Sequence, residues 1–562
     1  MKKIFITIVS MVIVAVLFCS CAAQGPMEAP AAAEKPAAEE PAMEAPAAEE
    51  WVAEEPASDE LAPSIDQAPV PAPAAGATYD GYESGGAFGD TESYIPIEDN
   101  NPKPTDTDSL VTFSLKVDTA SYTNVQRYLE GGSLPPADAV KVEEMINYFN
   151  YESQVSYDGH PLGVYTEIGQ SPFDPDKYMA FIRVKAAEVD KSELPPSSLT
   201  FLIDTSGSMD TYDKLPLLKE AFSLLTENLD RQDRVSIVTY AGSSAVVLDG
   251  ARGDDGNTIL TSIYNLRAGG STAGAQGIQT AYQIAERNFI PGGNNRVILA
   301  TDGDFNVGVS SIDGLSQLIG EKRDSGIYLS VLGFGTGNIQ DDIMETLSKD
   351  GNGNYAYINS VSTAKKVLVD ELGSNLFALA DDVKAQVEFN PVNVASYRLV
   401  GYENRKLNNE DFNDDTKDAG EIGVGTDVVM LFELELANPG SGEQDLKYGG
   451  EAASDAPVQT DFGQYGDELF EVRIRYKNPG ENESNLILRP VTFDDVARET
   501  SSDLNFACSV AELGMQMRNS PYAAGAPVED IARVAMDNIG GDTGGYRTQH
   551  LMLVKDYTDI AW

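Results

Sequence analysis

Asp204-Thr205-Ser206-Gly207-Ser208 puts one carboxylate and two hydroxyls at alternate positions of a tight loop. These are hard oxygen donors, the type Mg2+ prefers. The residues before it, Leu199-Thr200-Phe201-Leu202-Ile203, form a short apolar run without alternation, which suits a strand buried on both faces. The loop then falls at the carboxyl end of a parallel strand, where open α/β sheets place their ligands. A cation site needs donors from more than one loop, and two further stretches supply them. Gly269 to Gly274 is a glycine-rich loop carrying the hydroxyl of Thr272, and the apolar run from Arg296 to Thr301 ends in Asp302-Gly303.

Taken in order, Asp204, Ser206, Ser208, Thr272 and Asp302 resemble the metal-ion-dependent adhesion site of von Willebrand factor type A domains. The resemblance implies that Ser206, Ser208 and Thr272 hold a divalent ion directly, with Asp204 and Asp302 acting mostly through water. It also implies a sixth position open to a carboxylate from a partner protein. Mg2+ is the expected ion, with Mn2+ or Ca2+ as substitutes. Without metal the two carboxylates repel at close range, so replacing either is expected to leave the fold at least as stable. The glycines at 269, 270 and 274 do not form a nucleotide loop, because no Gly-Lys-Ser or Gly-Lys-Thr follows.

The elements that position these loops alternate over residues 198–378. Expected strands are Leu199–Ile203, Arg234–Tyr240, Ala245–Leu248, Val297–Thr301 and Tyr328–Phe334. Amphipathic stretches between them predict helices, the last about Val361–Leu376. Such alternation calls for an α/β fold, a doubly wound, mostly parallel, Rossmann-like sheet covered on both faces, which is also the type A architecture.

The flanks read differently. Residues 108–197 offer strands at Val111–Val117, Val164–Ile168 and Tyr178–Ala186, a helix starting near Asp118 and another about Lys141–Phe149. Residues 379–562 show period-two strands at Val383–Phe389, Ser396–Gly401, Val428–Leu436, Glu468–Lys477 and Asn485–Pro490. Helices are expected about Asp503–Met517 and Val528–Ile539, with a last strand about His550–Val554. Two or three strands are barely stable alone. The type A domain is therefore expected to be inserted in a second, β-rich α+β domain built from both flanks, with Tyr178–Ala186 pairing to a strand of the 383–490 region. The segments Val117–Val125, Val142–Phe149, Leu399–Arg405 and Asp418–Gly423 resemble the companion domains of a family of bacterial envelope lipoproteins. Thr426 stands where that resemblance leads one to expect His.

The first 21 residues, Met1-Lys2-Lys3 followed by an apolar run to Phe18 and Cys19-Ser20-Cys21, read as a secretory signal. The cysteine resembles a lipoprotein box, with Cys21 as the lipidated residue. Residues 22–107 are first Ala-, Pro- and Glu-rich and then loop-like. They are expected to form a disordered acidic tether, with tyrosines near its end that could dock on the body. The implied location is the bacterial cell envelope, lipid-anchored, at the outer membrane, the periplasmic face or the surface.

With 89 acidic against 39 basic side chains, the formal charge is −50. That argues against nucleic acid as a partner. Only His160 and His550 occur, which nearly excludes zinc sites and His-dependent triads. Cys508, on an apolar helical face, reads as a small buried hydrophobe. The acidic run Glu410, Asp411, Asp414, Asp415, Asp418 and Glu421 lacks EF-hand spacing and reads as a solvated loop. Asp304 and Asn306 are expected to shape the metal loop. Three function classes remain: a non-enzymatic envelope binding or adhesion protein, a metal-assisted hydrolase using the same ion, and a structural scaffold with the site unused.

Overall fold

The computed structural model describes residues 92–116, 118–270, 274–303, 312–417, 419–437 and 466–561. The expected signal segment and the tether up to residue 91 lie outside them. The described strands of the first flank are β1 (Lys103–Pro104), β2 (Leu110–Ser114), β3 (Leu162–Gln170) and β4 (Tyr178–Ala186). Those of the centre are β5 (Ser197–Asp204), β6 (Arg234–Tyr240), β7 (Ser244–Arg252), β8 (Asn294–Thr301), β9 (Ile327–Phe334) and β10 (Tyr355–Ile358). The second flank adds β11 (Ala378–Phe389), β12 (Val394–Val400), β13 (Lys406–Leu407), β14 (Ile422–Gly423), β15 (Asp427–Leu436), β16 (Glu468–Lys477) and β17 (Ser484–Thr492).

The central strands pair in the order β10-β9-β8-β5-β6-β7. All pairs are parallel except β6 with β7. Every residue of β5 is buried. Leu199, Phe201 and Ile203 face the helix Leu215–Thr226, while Leu202 faces the helix Gly274–Arg287. That two-sided burial is why the sequence of β5 shows no alternation. From β5 the chain adds β6 and β7 on one side, then β8, β9 and β10 on the other. The topological switch point lies between β5 and β8.

The flanks form two antiparallel sheets, β1-β12-β15-β4-β3 and β13-β2-β11-β16-β17. Each mixes strands from both sides of the central segment. β4 pairs with β15 from Tyr178↔Leu434 to Lys185↔Asp427, and β2 pairs with β11 from Leu110↔Glu388 to Ser114↔Lys384. The inner faces share one core, including Phe113, Ile182, Phe389, Phe432 and Ile474. The outer face of the first sheet carries Met179, Phe181, Val429 and Leu431, covered by helices such as Ser502–Met517. The central α/β segment is thus inserted in a β-rich α+β domain, as expected.

Three expectations are corrected. His550–Val554 is not a strand but part of the helix Tyr546–Ala561. Its buried residues Tyr546, His550, Leu553 and Val554 recur at helical spacing, which a five-residue apolar window cannot show. Residues 92–107, expected to belong to the tether, form a strap on the body. Asn100 Nδ2 donates to the carbonyls of Leu399 (2.9 Å) and Gly401 (2.7 Å), and Lys103–Pro104 adds to β12. Buried polar partners offset the chain entropy that composition alone made decisive. The expected helix Val361–Leu376 is interrupted by a π-helical turn at Lys366–Asp370.

Burying a large apolar side chain stabilises by about 1.5–3 kcal/mol, and β4 alone contributes Phe181, Ile182 and Val184 to two cores. Residues 379–562 expressed alone are therefore expected to unfold without a cooperative transition, and to gain one when residues 92–197 are supplied in trans. A cooperative transition of 379–562 that the second fragment does not raise contradicts the composite domain.

Candidate metal centre

Asp204 ends β5 and Asp302 follows β8, its parallel neighbour, so the switch point brings the two carboxylates together. Both are fully buried. Asp204 Oδ1 accepts the Ser206 N–H at 2.8 Å, and the hydroxyls of Ser206 and Ser208 lie 2.9 Å apart. The second loop is docked on the first. Gly269 N–H donates to the Thr205 carbonyl at 2.8 Å, and Gly207 N–H to the Gly270 carbonyl at 3.1 Å. Thr272, two residues further on, lies outside the described residues, as do Asp304, Asn306 and Cys21.

The second oxygen of Asp204, Oδ2, is buried without a hydrogen-bond partner. Burial, with the Asp302 charge adding to it, pushes the Asp204 carboxyl up to about 6. A cation at this point would relieve both effects. The described donors are one partnerless carboxylate oxygen, a second carboxylate and two hydroxyls. These fit a hard divalent ion.

Sequence reasoning missed Lys214, which precedes the helix Leu215–Thr226. Its ammonium donates to Asp302 Oδ2 at 2.8 Å. Burial raises the Asp302 carboxyl, but the bond and charge of Lys214 outweigh it and hold the group below the ordinary carboxylate range. The side chain passes so close to Gly335 (φ +75°) that a Cβ there would lie 2.2 Å from Lys214 Cε. Nothing in the local pattern separates this lysine from one that faces solvent.

Sequence reasoning also missed a buried charge cluster where the central segment meets both flanks. Asp118 does not cap the helix Ala120–Glu130. It accepts the Tyr355 N–H at 2.9 Å and pairs with Arg405 at 3.0 Å. Arg405 also pairs with Glu345 at 3.0 Å, and Lys141 pairs with Asp341 at 2.7 Å and Glu345 at 2.8 Å. Oxygens of Asp118, Glu144 and Glu345 lie within 4.8 Å of one another, a spacing that suits a metal. Arg405 and Lys141 already sit among them, so the geometry is that of an ion-pair network. In the acidic run 410–421, Asp411 accepts the Asn408 N–H, Asp414 accepts the Thr416 hydroxyl and Asp415 pairs with Arg475, while Asp418 lies outside the described residues. A cleft of about 1050 Å³ runs along the seam between the central segment and the flanks. It is lined by Ser197 at the start of β5, the end of the strand remote from Asp204.

Glu144 Oε2 accepts the Ser121 N–H at 2.9 Å, but Oε1 is buried without a hydrogen-bond partner. Burial, reinforced by Glu345, Asp118 and Asp341 and opposed by Lys141, pushes this carboxyl from 4.5 up to about 8. Between those values the unfolded chain has lost the proton while the folded protein keeps it. Folding therefore loses stability as pH rises through that window. Glutamine has no such proton. Glu144→Gln is expected to gain in unfolding temperature relative to wild type as pH rises from about 5 to about 8. A difference that stays flat over that range contradicts the assignment.

Comparison with known proteins agrees with this architecture. The family model for the von Willebrand factor type A domain matches residues 198–371, and one described as von Willebrand factor matches 89–180. The model described as the C-terminal part of the uncharacterized protein YfbK matches 374–560. The uncharacterized protein YfbK of Escherichia coli (strain K12) is 39% identical over 481 residues, covering 84% of this chain and 82% of that protein. The uncharacterized protein sll0103 of Synechocystis is 29% identical over 186 residues, covering 33% of this chain and 42% of that protein. A solved von Willebrand factor type A structure from Catenulispora acidiphila covers 71% of this chain and 91% of its own, with 14% identity and a TM-score of 0.38. With the type A centre and both flanks matched, the chain belongs to the YfbK family of von Willebrand factor type A proteins.

Proposed function

We propose that this protein is a non-enzymatic binding protein of the bacterial cell envelope, anchored by lipid at Cys21. It engages an acidic residue of a partner protein through Mg2+ held by Asp204, Ser206, Ser208, Thr272 and Asp302. Type A domains are protein-interaction modules, and membership of that group supports the coarse reading. The observation that carries the finer one is the pair of buried carboxylates at the switch point, one with a partnerless oxygen, together with two hydroxyls 2.9 Å apart on the loop that follows it. When bound, the ion supplies positive charge that a partner's carboxylate can complete. Ser206 and Ser208 would hold it, and Asp204 would orient their loop through the Ser206 N–H. A hydrolase would need a base beside the ion. His160 instead contacts the Tyr476 hydroxyl at 2.9 Å, and His550 is buried among Tyr122, Phe149 and Phe506.

Asp204→Ala and Asp302→Ala are each expected to abolish Mn2+ binding measured by calorimetry. Their metal-free stabilities should differ, contrary to the expectation that both are harmless. Asp204→Ala removes a buried, poorly compensated carboxylate and is expected to unfold in EDTA no lower than wild type. Asp302→Ala strands Lys214, whose side chain is 8% exposed, and is expected to cost about 3 kcal/mol. Wild-type affinity for Mn2+ in both variants refutes the site.

Lipid chains at Cys21 would hold the body at a membrane, since several acyl chains together anchor firmly where one does not. The Cys21→Ser protein is expected in the soluble fraction. One that stays wholly membrane-bound in high salt overturns the anchor.

A further inference from the structure

We propose that Glu92 and Ser93, at the head of the N-terminal strap, are positioning residues for the metal centre that act through the loop at residues 335–340. The inference rests on the metal-site reading above.

The Glu92 side chain is 3% exposed. Its Oε1 accepts the Gly337 N–H at 2.9 Å and Arg127 Nη1 at 2.8 Å. Its Oε2 accepts the Tyr128 hydroxyl at 2.6 Å and Arg127 Nη2 at 2.8 Å. Ser93 continues the grip with its backbone. Its N–H donates to the Ile339 carbonyl and its carbonyl accepts the Asp341 N–H, each at 3.0 Å. The pair brackets Gln340 as a parallel bridge, and the Ser93 hydroxyl lies 2.5 Å from Asp342 Oδ1 and 3.0 Å from Gln340 Oε1.

The gripped loop touches the metal centre on its other side. A Cβ at Gly303 (φ +98°), the residue after Asp302, would lie 2.5 Å from the Asn338 carbonyl oxygen and 2.7 Å from Ile339 Cα. The backbone at 338–339 is therefore packed onto the Asp302 loop. Asn338 Oδ1 also lies 3.4 Å from Lys214 Nζ, the group that bonds Asp302. The path runs from Glu92 to Gly337, then through Asn338 to Gly303 and Lys214.

The loop has its own freedom to lose. Gly335 and Gly337 both sit at positive φ, +75° and +95°, and glycines there leave many backbone states open. Bonds to Gly337 N–H and the Ile339 carbonyl select one of them, the state in which the chain fits against Gly303. A second layer that fixes metal-binding loops raises affinity without touching the ion. These bonds come from outside the type A segment 198–371, so metal affinity becomes a property of the whole body.

The test uses the full chain and Mn2+ alone as probe, with affinity by calorimetry and unfolding temperature in EDTA and in Mn2+. Glu92→Ala is expected to weaken Mn2+ binding about tenfold. Glu92→Gln keeps an acceptor for Gly337 N–H and is expected to recover most of that loss. Ser93→Ala leaves the Glu92–Arg127 pair intact and should weaken Mn2+ in the same direction by a smaller factor. It also serves should Glu92→Ala not fold. Wild-type affinity in Glu92→Ala and Ser93→Ala overturns this inference alone. So does an equal drop in unfolding temperature with and without Mn2+ at unchanged affinity. Wild-type protein that takes up no Mn2+, and is indistinguishable from Asp204→Ala, overturns the metal-site reading and this inference with it.

Discussion

A carboxylate taken out of water costs several kcal/mol unless a cation or hydrogen-bond donors replace the solvent. Asp118, Glu144, Asp204, Asp302, Asp341 and Glu345 are all buried here, and the way each is compensated sorts the molecule into parts. Asp118, Asp341 and Glu345 are met by Arg405 and Lys141, side chains brought from the flanks. Those carboxylates tie the central segment to its host. Asp302 is met by Lys214, within the segment itself. Asp204 has the Ser206 N–H on one oxygen and no hydrogen-bond partner on the other, with only the Ser206 and Tyr240 hydroxyls beside it to ease the charge. Glu144 still has Lys141 at 3.7 Å, so of these six carboxylates Asp204 is the one with no ion pair among the described residues, and it sits where the loops after β5 and β8 meet.

The same constraint limits how the central segment can move. Two covalent linkers, near Ser197 and Ala378, would by themselves permit a hinge. The described contacts do not leave it free. The helix Asp341–Asp350 carries two of the paired acids, and its first turn sits against Ser93. Breaking a buried pair by separating its partners costs about 3–5 kcal/mol, so rigid rotation of the segment is expensive at the junction. Small shifts confined to the loops above β5 and β8 avoid that cost.

Much of this was legible in the sequence because it depends on local periodicity. Unbroken apolar runs in β5 and β8 mark strands covered twice, and period-two runs such as Glu468–Lys477 mark half-buried ones. The order of Asp204, Ser206, Ser208 and Asp302 followed from motif and strand ends together. What escaped depends on distant partners. Lys214, Arg405 and Lys141 look like surface cations until the carboxylates they meet are placed. The strap at 92–107 has a loop-like composition, and only the acceptors at Leu399 and Gly401 make Asn100 a buried residue. The helix Tyr546–Ala561 was misjudged because its apolar positions are spread over nine residues, from Tyr546 to Val554.

The interrupted closing helix of the central segment shows how these layers combine. Its π turn at Lys366–Asp370 carries Lys366, buried with its ammonium 4.8 Å from the ring centres of both Tyr148 and Tyr546. Tyr148 comes from the first flank and Tyr546 from the second. Glu371 pairs with the same ammonium, and the Tyr546 hydroxyl donates to Asp370 at 2.7 Å. A regular α-helix would rotate the side chains that follow the turn by roughly 100°, carrying Asp370 away from Tyr546. The extra residue per turn is thus kept by contacts from outside the segment, as π-bulges commonly are at sites with a second demand on them. A desolvated cation over aromatic rings is worth about 2 kcal/mol. Any motion at the metal loops that reached this helix would have to overcome that grip, and the two flanks would feel it together.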